Sequence, residues 1–189
     1  MKTTFFAMQA AVRDLSVRAQ LHSLVAMTPS EQSLVEKRAF YTEVSNILLP
    51  HVASFELGYW DYVGDPDRAE KEFDTWCSEI EKVVGEELPD EPGQGAYRTP
   101  GRRDFFLVSL AFLFQKDGTS DVTMAERCDL PLASFFTRAT FAHLLATAPM
   151  LSFATVRADA IYVVPGSDQD ALTFDELRGE GYEYLRPLT

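Results

Sequence analysis

Histidine and cysteine, which commonly support catalysis or bind a metal, are few in this sequence and stand far apart along it. The histidines are His22, His51 and His143. None of them has a second ligand at the spacing of a zinc site. Asp168 and Asp170 are spaced like the first ligands of a calcium loop, but Leu172 stands at the next ligand position and the central glycine is missing. We therefore predict no metal site and no cofactor.

Motifs of nucleotide binding and nucleophilic catalysis are also missing. Gly93 and Gly95 do not lie between a strand and a helix at the spacing of a phosphate-binding loop. Serine, cysteine and histidine show no local arrangement of an activated nucleophile. Catalytic groups that converge from distant positions leave no such trace, so an enzyme stays an alternative. The sequence favours a protein that is not an enzyme, and it predicts no catalytic residue.

Two kinds of residue are typical of a partner-binding surface. Aromatic residues cluster in the segment FELGYWDYV, where they suit either the core or an interface, since Trp and Tyr are enriched in interfaces. Acidic residues cover the outer side of a helix predicted over 66–84, and arginines occupy the loop predicted over 85–103. These arginines suit a solvated loop, a loop closed onto the acidic helix, or contacts between two copies. The candidate partner-binding residues are Tyr59, Trp60, Tyr62, Glu70, Glu72, Glu79, Arg98, Arg102 and Arg103.

The charge balance of the chain restricts its partners. The chain has 189 residues and a formal net charge of -12. Nucleic acids and anionic membrane surfaces are bound by clustered Lys and Arg, so neither is an expected partner. This charge is consistent with a protein partner, either a basic protein or a second copy of this chain.

Cysteine use and the N-terminal segment indicate a cytoplasmic protein. Cys77 and Cys128 are the only cysteines, too few for a disulfide framework or a cysteine metal site, which favours a reducing compartment. The apolar stretch FFAMQAAV is too short for a membrane span, and Arg13 and Asp14 follow it directly. We predict no export signal and no membrane span.

The fold prediction centres on residues 104–165. The segment from Phe105 to Phe114 is apolar on both faces apart from Ser109, which predicts a strand in the middle of a sheet with cover on both sides. A helix is predicted over 132–148 and a second long strand over 152–164. Arg157 and Asp159 share the wetter face of this second strand, where we expect a solvated ion pair.

The remaining segments complete one α+β domain. The other predicted elements are a strand from Thr3, helices near 14–26, 29–49 and 66–84, and a strand over 55–63. The helix over 29–49 is predicted to begin with a capping box of Thr28 and Glu31, and Thr173 and Glu176 form a second capping box. The sequence thus predicts a single α+β domain over 1–189, with a mixed sheet of about four strands covered by helices. The segment 85–103, rich in Gly, Pro and charge, is predicted to be a mobile loop.

Four parts of the sequence carry a resemblance to a known family. They are AAVRDLSVRAQLHSL at 10–24, LLPH at 48–51 with YWDY at 59–62, AEKEFDTW at 69–76, and FFLVSLAFLF at 105–114 paired with AIYVVPGSDQDALTFDEL at 160–177. In their order they resemble a domain-of-unknown-function family of bacterial, cyanobacterial and chloroplast proteins, which includes the thylakoid fluctuating-light acclimation proteins. The resemblance implies no catalytic residue.

The function we expect is that of a non-enzymatic protein-interaction or regulatory module, with a partner surface that includes the acidic helix and the loop. The alternative is a small-molecule-binding protein or an enzyme, with a pocket between sheet and helices near Trp60 and His143. A third possibility is a structural subunit of a larger assembly.

Overall fold

The computed structural model describes residues 2–29, 31–86, 103–166, 170–179 and 181–189. Side chains at 83–86 and at 103 are outside this description. The helices are α1 (Leu15–Met27), α2 (Leu34–Leu48), α3 (Pro66–Glu86), α4 (Thr119–Cys128) and α5 (Arg138–Leu145). The strands are β1 (Thr3–Val12), β2 (Phe55–Val63), β3 (Arg103–Gln115), β4 (Val156–Val164), β5 (Leu172–Thr173) and β6 (Arg186–Pro187). Short 3₁₀ turns lie at Leu49–Ser54, Leu132–Ser134, Ala148–Met150, Phe153–Thr155 and Glu176–Arg178.

The strands form one open sheet in the order β4-β3-β1-β2-β6, with β5 paired to β3. The predicted single α+β domain is confirmed, but the sheet has six strands in the described ranges rather than about four. The two extra strands have two residues each, too short for a pattern of alternation to reveal. The predicted mixed sheet is wrong, because every pairing among the described strands is antiparallel. β1 separates β2 from β3, which run in the same direction, so these two strands form no parallel pair.

Both faces of the sheet centre are covered, as predicted for the segment 105–114. Helices α1, α2, α4 and α5 pack on one face, which we call the four-helix face, against Phe106, Val108, Leu110, Phe112 and Phe114. Helix α3 and the C-terminal segment pack on the other face, which we call the α3 face, against Phe105, Leu107, Ala111 and Leu113. β1 is the other central strand, and all ten of its residues are buried. The prediction of a strand leading into the first helix is therefore confirmed.

The N-cap of the second helix lies at a different residue from the predicted one. Helix α2 begins after Ser33, whose hydroxyl accepts a hydrogen bond from the Glu36 amide while the Glu36 carboxylate accepts one from the Ser33 amide. Thr28 instead ends α1, and its hydroxyl donates to the Leu24 carbonyl at 2.7 Å. Because α1 continues to Met27, Thr28 serves the C-terminus of one helix and is unable to start the next.

The predicted helix over 132–148 is also wrong in extent. The chain makes a 3₁₀ turn at Leu132–Ser134, and α5 begins only at Arg138. The hydroxyls of Thr137 and Thr140 both donate to the Ser134 carbonyl, at 3.1 and 2.7 Å. These side-chain bonds give the backbone an alternative to helical pairing, and Thr137 then acts as the N-cap of α5. Helix α4, which starts directly after the Asp117-Gly118 turn, was not predicted.

Asp159 of β4 is not part of a solvated ion pair as the sequence predicted. It forms an ion pair with Lys37 of α2 and accepts a hydrogen bond from the Tyr41 hydroxyl at 3.1 Å. Its side chain is only 11% exposed, because α2 lies across this face of β4. Arg157 donates to the Gln115 side chain at 3.0 Å. Strand β4 begins later than predicted, since Phe153–Thr155 is a 3₁₀ turn.

Gly58 lies inside β2, where a side chain would have no room. A Cβ atom at this position would lie 2.5 Å from the ring of Phe141 in α5. The glycine therefore allows α5 to pack closely on the sheet, and the strand continues through it over the predicted range Phe55–Val63.

The C-terminal segment follows the prediction. The Thr173 amide donates to the Glu176 carboxylate at 2.7 Å and the Glu176 amide donates to the Thr173 hydroxyl at 3.1 Å, which confirms the second capping box. The chain then returns to the core, where Leu185 is buried and Tyr184 is half-buried. None of the described helices is both long and apolar enough to cross a membrane.

Candidate binding cleft beside the third helix

A row of polar side chains crosses the α3 face of the sheet. Gln9 of β1 stands opposite Tyr59 of β2 and Ser109 of β3, and Ser109 stands opposite Tyr162 of β4. Residues that are opposite each other in an antiparallel sheet point to the same face, so these four side chains lie side by side. Gln9 and Ser109 are each 1% exposed. A sheet face buried beneath a helix thus carries hydrogen-bonding groups at its centre.

Two aromatic side chains from outside the sheet are fixed by this polar row. The indole N–H of Trp76, in α3, donates to the Ser109 hydroxyl at 3.0 Å. The hydroxyl of Tyr184, in the C-terminal segment, donates to the Gln9 side-chain oxygen at 2.6 Å. Each bond gives a buried polar group of the sheet a partner, and it holds an aromatic ring in one orientation.

The aromatic rings of Tyr59, Trp76 and Tyr184 contact one another and form one wall. Their centroids lie 6.1 Å apart for Tyr59 and Trp76, 5.3 Å for Tyr59 and Tyr184, and 6.1 Å for Trp76 and Tyr184. This aromatic wall borders a cleft of about 620 Å³ between α3 and the segment 181–184, which we call the α3 cleft. The apolar side chains of Phe5, Ile80 and Val164 contribute to its lining.

Acidic side chains dominate the charge of the α3 cleft. The charged residues of its described lining are Asp61, Glu72, Glu79, Lys82 and Glu183. Glu72 forms an ion pair with Arg68 at 3.0 Å, but both side chains are exposed and one helical turn apart, so the pair contributes little to stability. Among the described residues, no three His, Cys, Asp or Glu side chains converge as a metal ion would require.

The phenol groups in the wall respond to this environment. Burial raises the pKa of Tyr59, and the carboxylates of Asp61 and Glu72 raise it further by disfavouring a phenolate. Burial also raises the pKa of Tyr184 well above its usual value, with a further contribution from Glu79. Both phenols are therefore neutral at physiological pH. The charged groups of the lining are then its four carboxylates and the ammonium group of Lys82, so carboxylates are in excess.

A smaller groove lies on the other side of β2. It has a volume of about 340 Å³ and is lined by Trp60, Asp61, Tyr62, Ala125, Cys128, Asp129 and Phe135. We call it the β2 groove. Burial raises the pKa of the Cys128 thiol to about 12, so the thiol stays protonated and is a poor nucleophile. Asp61 lines both the β2 groove and the α3 cleft, which places the two on either side of the same strand edge.

The structure brings together some of the predicted partner-binding residues and separates others. Tyr59, Glu72 and Glu79 line the α3 cleft. Trp60 and Tyr62 point to the four-helix face, where the Trp60 indole donates to the Phe135 carbonyl at 2.8 Å and the Tyr62 hydroxyl donates to Asp121 at 2.5 Å. The proposed single aromatic cluster is therefore divided between two faces, because neighbouring residues of a strand point to opposite sides.

The remaining predicted residues do not contribute to the described cleft. Glu70 is exposed and lies about 200° around α3 from Glu72, away from the lining. Arg98 and Arg102, with most of the predicted mobile loop, lie outside the described residues. Arg103 begins β3, and its side chain is not described.

The predicted site residues did not include Gln9, Trp76 and Tyr184. Trp76 lies four residues after Glu72 and three before Glu79, so the helical spacing of these residues was a usable signal. Gln9 was also visible as a polar residue inside an apolar strand. The position of Tyr184 beside Gln9 had no such signal, because the two residues are 175 positions apart.

We expect the Gln9–Tyr184 hydrogen bond to make the effects of substitutions at these two residues on the free energy of unfolding non-additive. Gln9→Leu leaves the Tyr184 hydroxyl without its acceptor, and it should lower the free energy of unfolding by about 1–2 kcal/mol. Tyr184→Phe should lower the free energy of unfolding by about 1 kcal/mol. The double variant should lose less than the sum of the two single losses, because neither hydrogen-bonding partner then remains without the other. Urea unfolding of the four proteins measures this coupling.

A matched control uses Tyr162, whose hydroxyl binds Glu81 at 2.8 Å. It lies two strands away from Gln9, about 10 Å by the usual strand spacing, so Gln9→Leu and Tyr162→Phe should be additive. Additive effects for Gln9 and Tyr184 as well would show that their hydrogen bond contributes nothing.

Comparisons with known proteins give no relative of this chain, since no family model, no curated protein and no solved structure matches it. The resemblance described under the sequence analysis stays a prediction.

Proposed function

We propose that the protein is a non-enzymatic binding module that recognises a positively charged group of a protein partner in the α3 cleft. The observation that carries the proposal is the aromatic wall of Tyr59, Trp76 and Tyr184 beside four carboxylates in one cleft. The faces of aromatic rings attract cations within about 6 Å, and carboxylates neutralise them.

The apolar part of the lining fits the same class of ligand. Lys and Arg side chains carry an aliphatic stem below the charged head. A stem lying against the apolar lining, which includes Phe5 and Ile80, would leave its ammonium or guanidinium group to the carboxylates of the same cleft, such as Glu72 and Glu79. The volume of about 620 Å³ exceeds that of one side chain, so it suits a segment of a partner rather than an isolated residue.

The net charge of the protein supports the same partner class. A formal charge of -12 attracts a basic protein over distances beyond direct contact and repels a second copy of this chain. We infer that association is fast at low salt and weakens as ionic strength rises.

The test is the binding of a fluorescein-labelled six-residue arginine peptide, followed by fluorescence anisotropy. Glu72→Gln with Glu79→Gln should weaken binding at least about 10-fold, because it removes two charges from the cleft. The control is Glu70→Gln with Glu126→Gln, which changes the net charge equally at exposed positions outside the cleft lining, and it should change affinity less than about 2-fold. Equal weakening by both double variants would refute the proposal, because the attraction would then come from net charge alone.

A second candidate function is the binding of a small organic amine. The volume of the α3 cleft lies within the range of about 300–1,000 Å³ that is usual for small-molecule sites. The cleft lies between sheet and helix, as the alternative prediction required, but on the face opposite Trp60. Native mass spectrometry of the freshly purified protein distinguishes the two functions. A retained ligand of a few hundred daltons would favour the small molecule, and the unmodified chain mass would favour the protein partner.

A further inference from the structure

We propose that the partner binds as an extended strand along the exposed edge of β2, where its alternate side chains enter the α3 cleft and the β2 groove. This inference rests on the proposed function, since it specifies how a basic partner segment would reach the cleft. The geometry of the β2 edge, the position of the two pockets and their chemistry support it independently.

The first observation is that the described residues cover the outer edge of β2 only in part. In the described part of the chain, β6 pairs with β2 at Leu57 and Gly58 alone, and the Leu188 amide donates to the Glu56 carbonyl at 2.9 Å. Alternate residues of a strand direct their backbone groups to the same edge. The backbone groups of Glu56 and Gly58 point toward β6. The backbone groups of Trp60 and Tyr62 therefore point to the same edge, at positions beyond the end of β6.

The second observation concerns the Tyr62 amide. It donates to the side chain of its neighbour Asp61 at 2.8 Å, as expected of an amide that points to the outer edge. Asp61 is exposed, so the bond is local and open to exchange with solvent. A carboxylate bound to an edge amide also hinders unspecific strand pairing, which is a known protection of exposed edges. An added strand would replace this bond and pair with the backbone of Trp60.

The third observation is that one pocket lies on each face of this edge. The α3 cleft is on one side of β2, the β2 groove is on the other, and Asp61 lines both. Side chains of an added strand alternate between the two faces with a period of two residues. One set would enter the acidic aromatic cleft, and the other would contact Trp60 and Phe135 in the groove.

The chemistry of the two pockets specifies the occupant. The carboxylates of the α3 cleft complement Lys or Arg. The lining of the β2 groove includes Asp61 and Asp129, but its rings of Trp60, Tyr62 and Phe135 complement apolar residues such as Val. The occupant is therefore a segment of a basic protein in which basic and apolar residues alternate. A second copy of this chain is disfavoured at the same edge, because each copy has a net charge of -12.

The experiment uses a fluorescein-labelled nine-residue peptide of alternating Arg and Val, with fluorescence anisotropy as the readout. Two further peptides carry N-methyl groups on all Arg amides or on all Val amides. In an extended strand the Arg amides point to one edge and the Val amides to the other, so only one methylated peptide loses its bonds to β2. We expect that one of the two binds at least about 10-fold more weakly than the unmethylated peptide, while the other binds within about 3-fold of it.

The outcomes separate this inference from the function on which it rests. Strand addition would be overturned if both methylated peptides bound as tightly as the unmethylated one. If Glu72→Gln with Glu79→Gln still weakened peptide binding, the proposed binding in the α3 cleft would stay intact. If neither methylation nor the two Glu substitutions weakened peptide binding, strand addition and binding in the α3 cleft would both be overturned. Slower hydrogen exchange of the Trp60 amide on addition of the unmethylated peptide would support strand pairing. A stable dimer of the free protein that the peptide does not dissociate would assign the edge to a second copy and overturn the inference.

Discussion

Replacement of Asp121 by alanine is expected to lower the free energy of unfolding by about 3–5 kcal/mol, a large part of the total stability of a domain of this size. The side chain of Asp121 is buried in the first turn of α4. It accepts hydrogen bonds from the Thr4 hydroxyl, from the Tyr62 hydroxyl at 2.5 Å and from the Asp117 amide at 2.7 Å. Alanine leaves these three donors without their acceptor, and it disconnects β1, β2 and α4 at one point.

Urea unfolding measures this effect, and Glu126→Ala is the matched control. Glu126 lies in the same helix but is exposed, so its replacement should change the free energy of unfolding by less than about 0.5 kcal/mol. Tyr62→Phe removes one of the three donors and should cost about 1 kcal/mol. If Asp121→Ala costs no more than Tyr62→Phe, the carboxyl group does not hold the three elements together.

Replacement of Phe112 by alanine is expected to cost about 3–5 kcal/mol through the cavity that it leaves. Phe112 is 1% exposed on the four-helix face of β3. Its ring lies 4.8 Å from the Tyr41 ring and 5.9 Å from the Phe114 ring, measured between centroids. Phe112→Leu keeps most of the volume and should cost less than about 1.5 kcal/mol.

The control for Phe112 is Phe174→Ala, which removes the same side chain from a position that is 39% exposed. Phe174 contacts Arg178, whose guanidinium carbon lies 5.6 Å from the ring centre, so a loss of less than about 1 kcal/mol is expected. Denaturant unfolding gives both values. Similar losses for the two phenylalanines would contradict the assignment of Phe112 to the packed centre of the domain.

Local signals in the sequence predicted those elements whose ends depend on a few neighbouring residues. Strand β2 was predicted over its full extent from alternation, and α3 begins at Pro66, the predicted first residue of this helix. The second helix shows the limit of this approach. The capping box was predicted at Thr28 with Glu31, whereas the structure has it at Ser33 with Glu36, and its position depends on where α1 ends. A local pattern does not contain that information.

The candidate site was predictable only in part, for a related reason. The sequence placed Glu72 and Glu79 on an acidic helix and Tyr59 on an aromatic strand, and all three line the α3 cleft. The same reasoning grouped Trp60 with Tyr59, although the strand period of two residues sends them to opposite faces. Glu70 was included because acidic composition is visible in a sequence, whereas the side of a helix that borders a cleft is not.

By itself the sequence determined the α+β class, the burial of β3 on both faces and the acidic net charge, since composition and short-range periodicity specify each of these. Only the tertiary structure decided the antiparallel order of the strands, which sets Gln9 beside Ser109 and Tyr59. It also decided where the returning C-terminal segment contacts the sheet, which places Tyr184 beside Gln9. Such contacts depend on strand register and on chain path over the whole length of the protein, and no local pattern of residues specifies either.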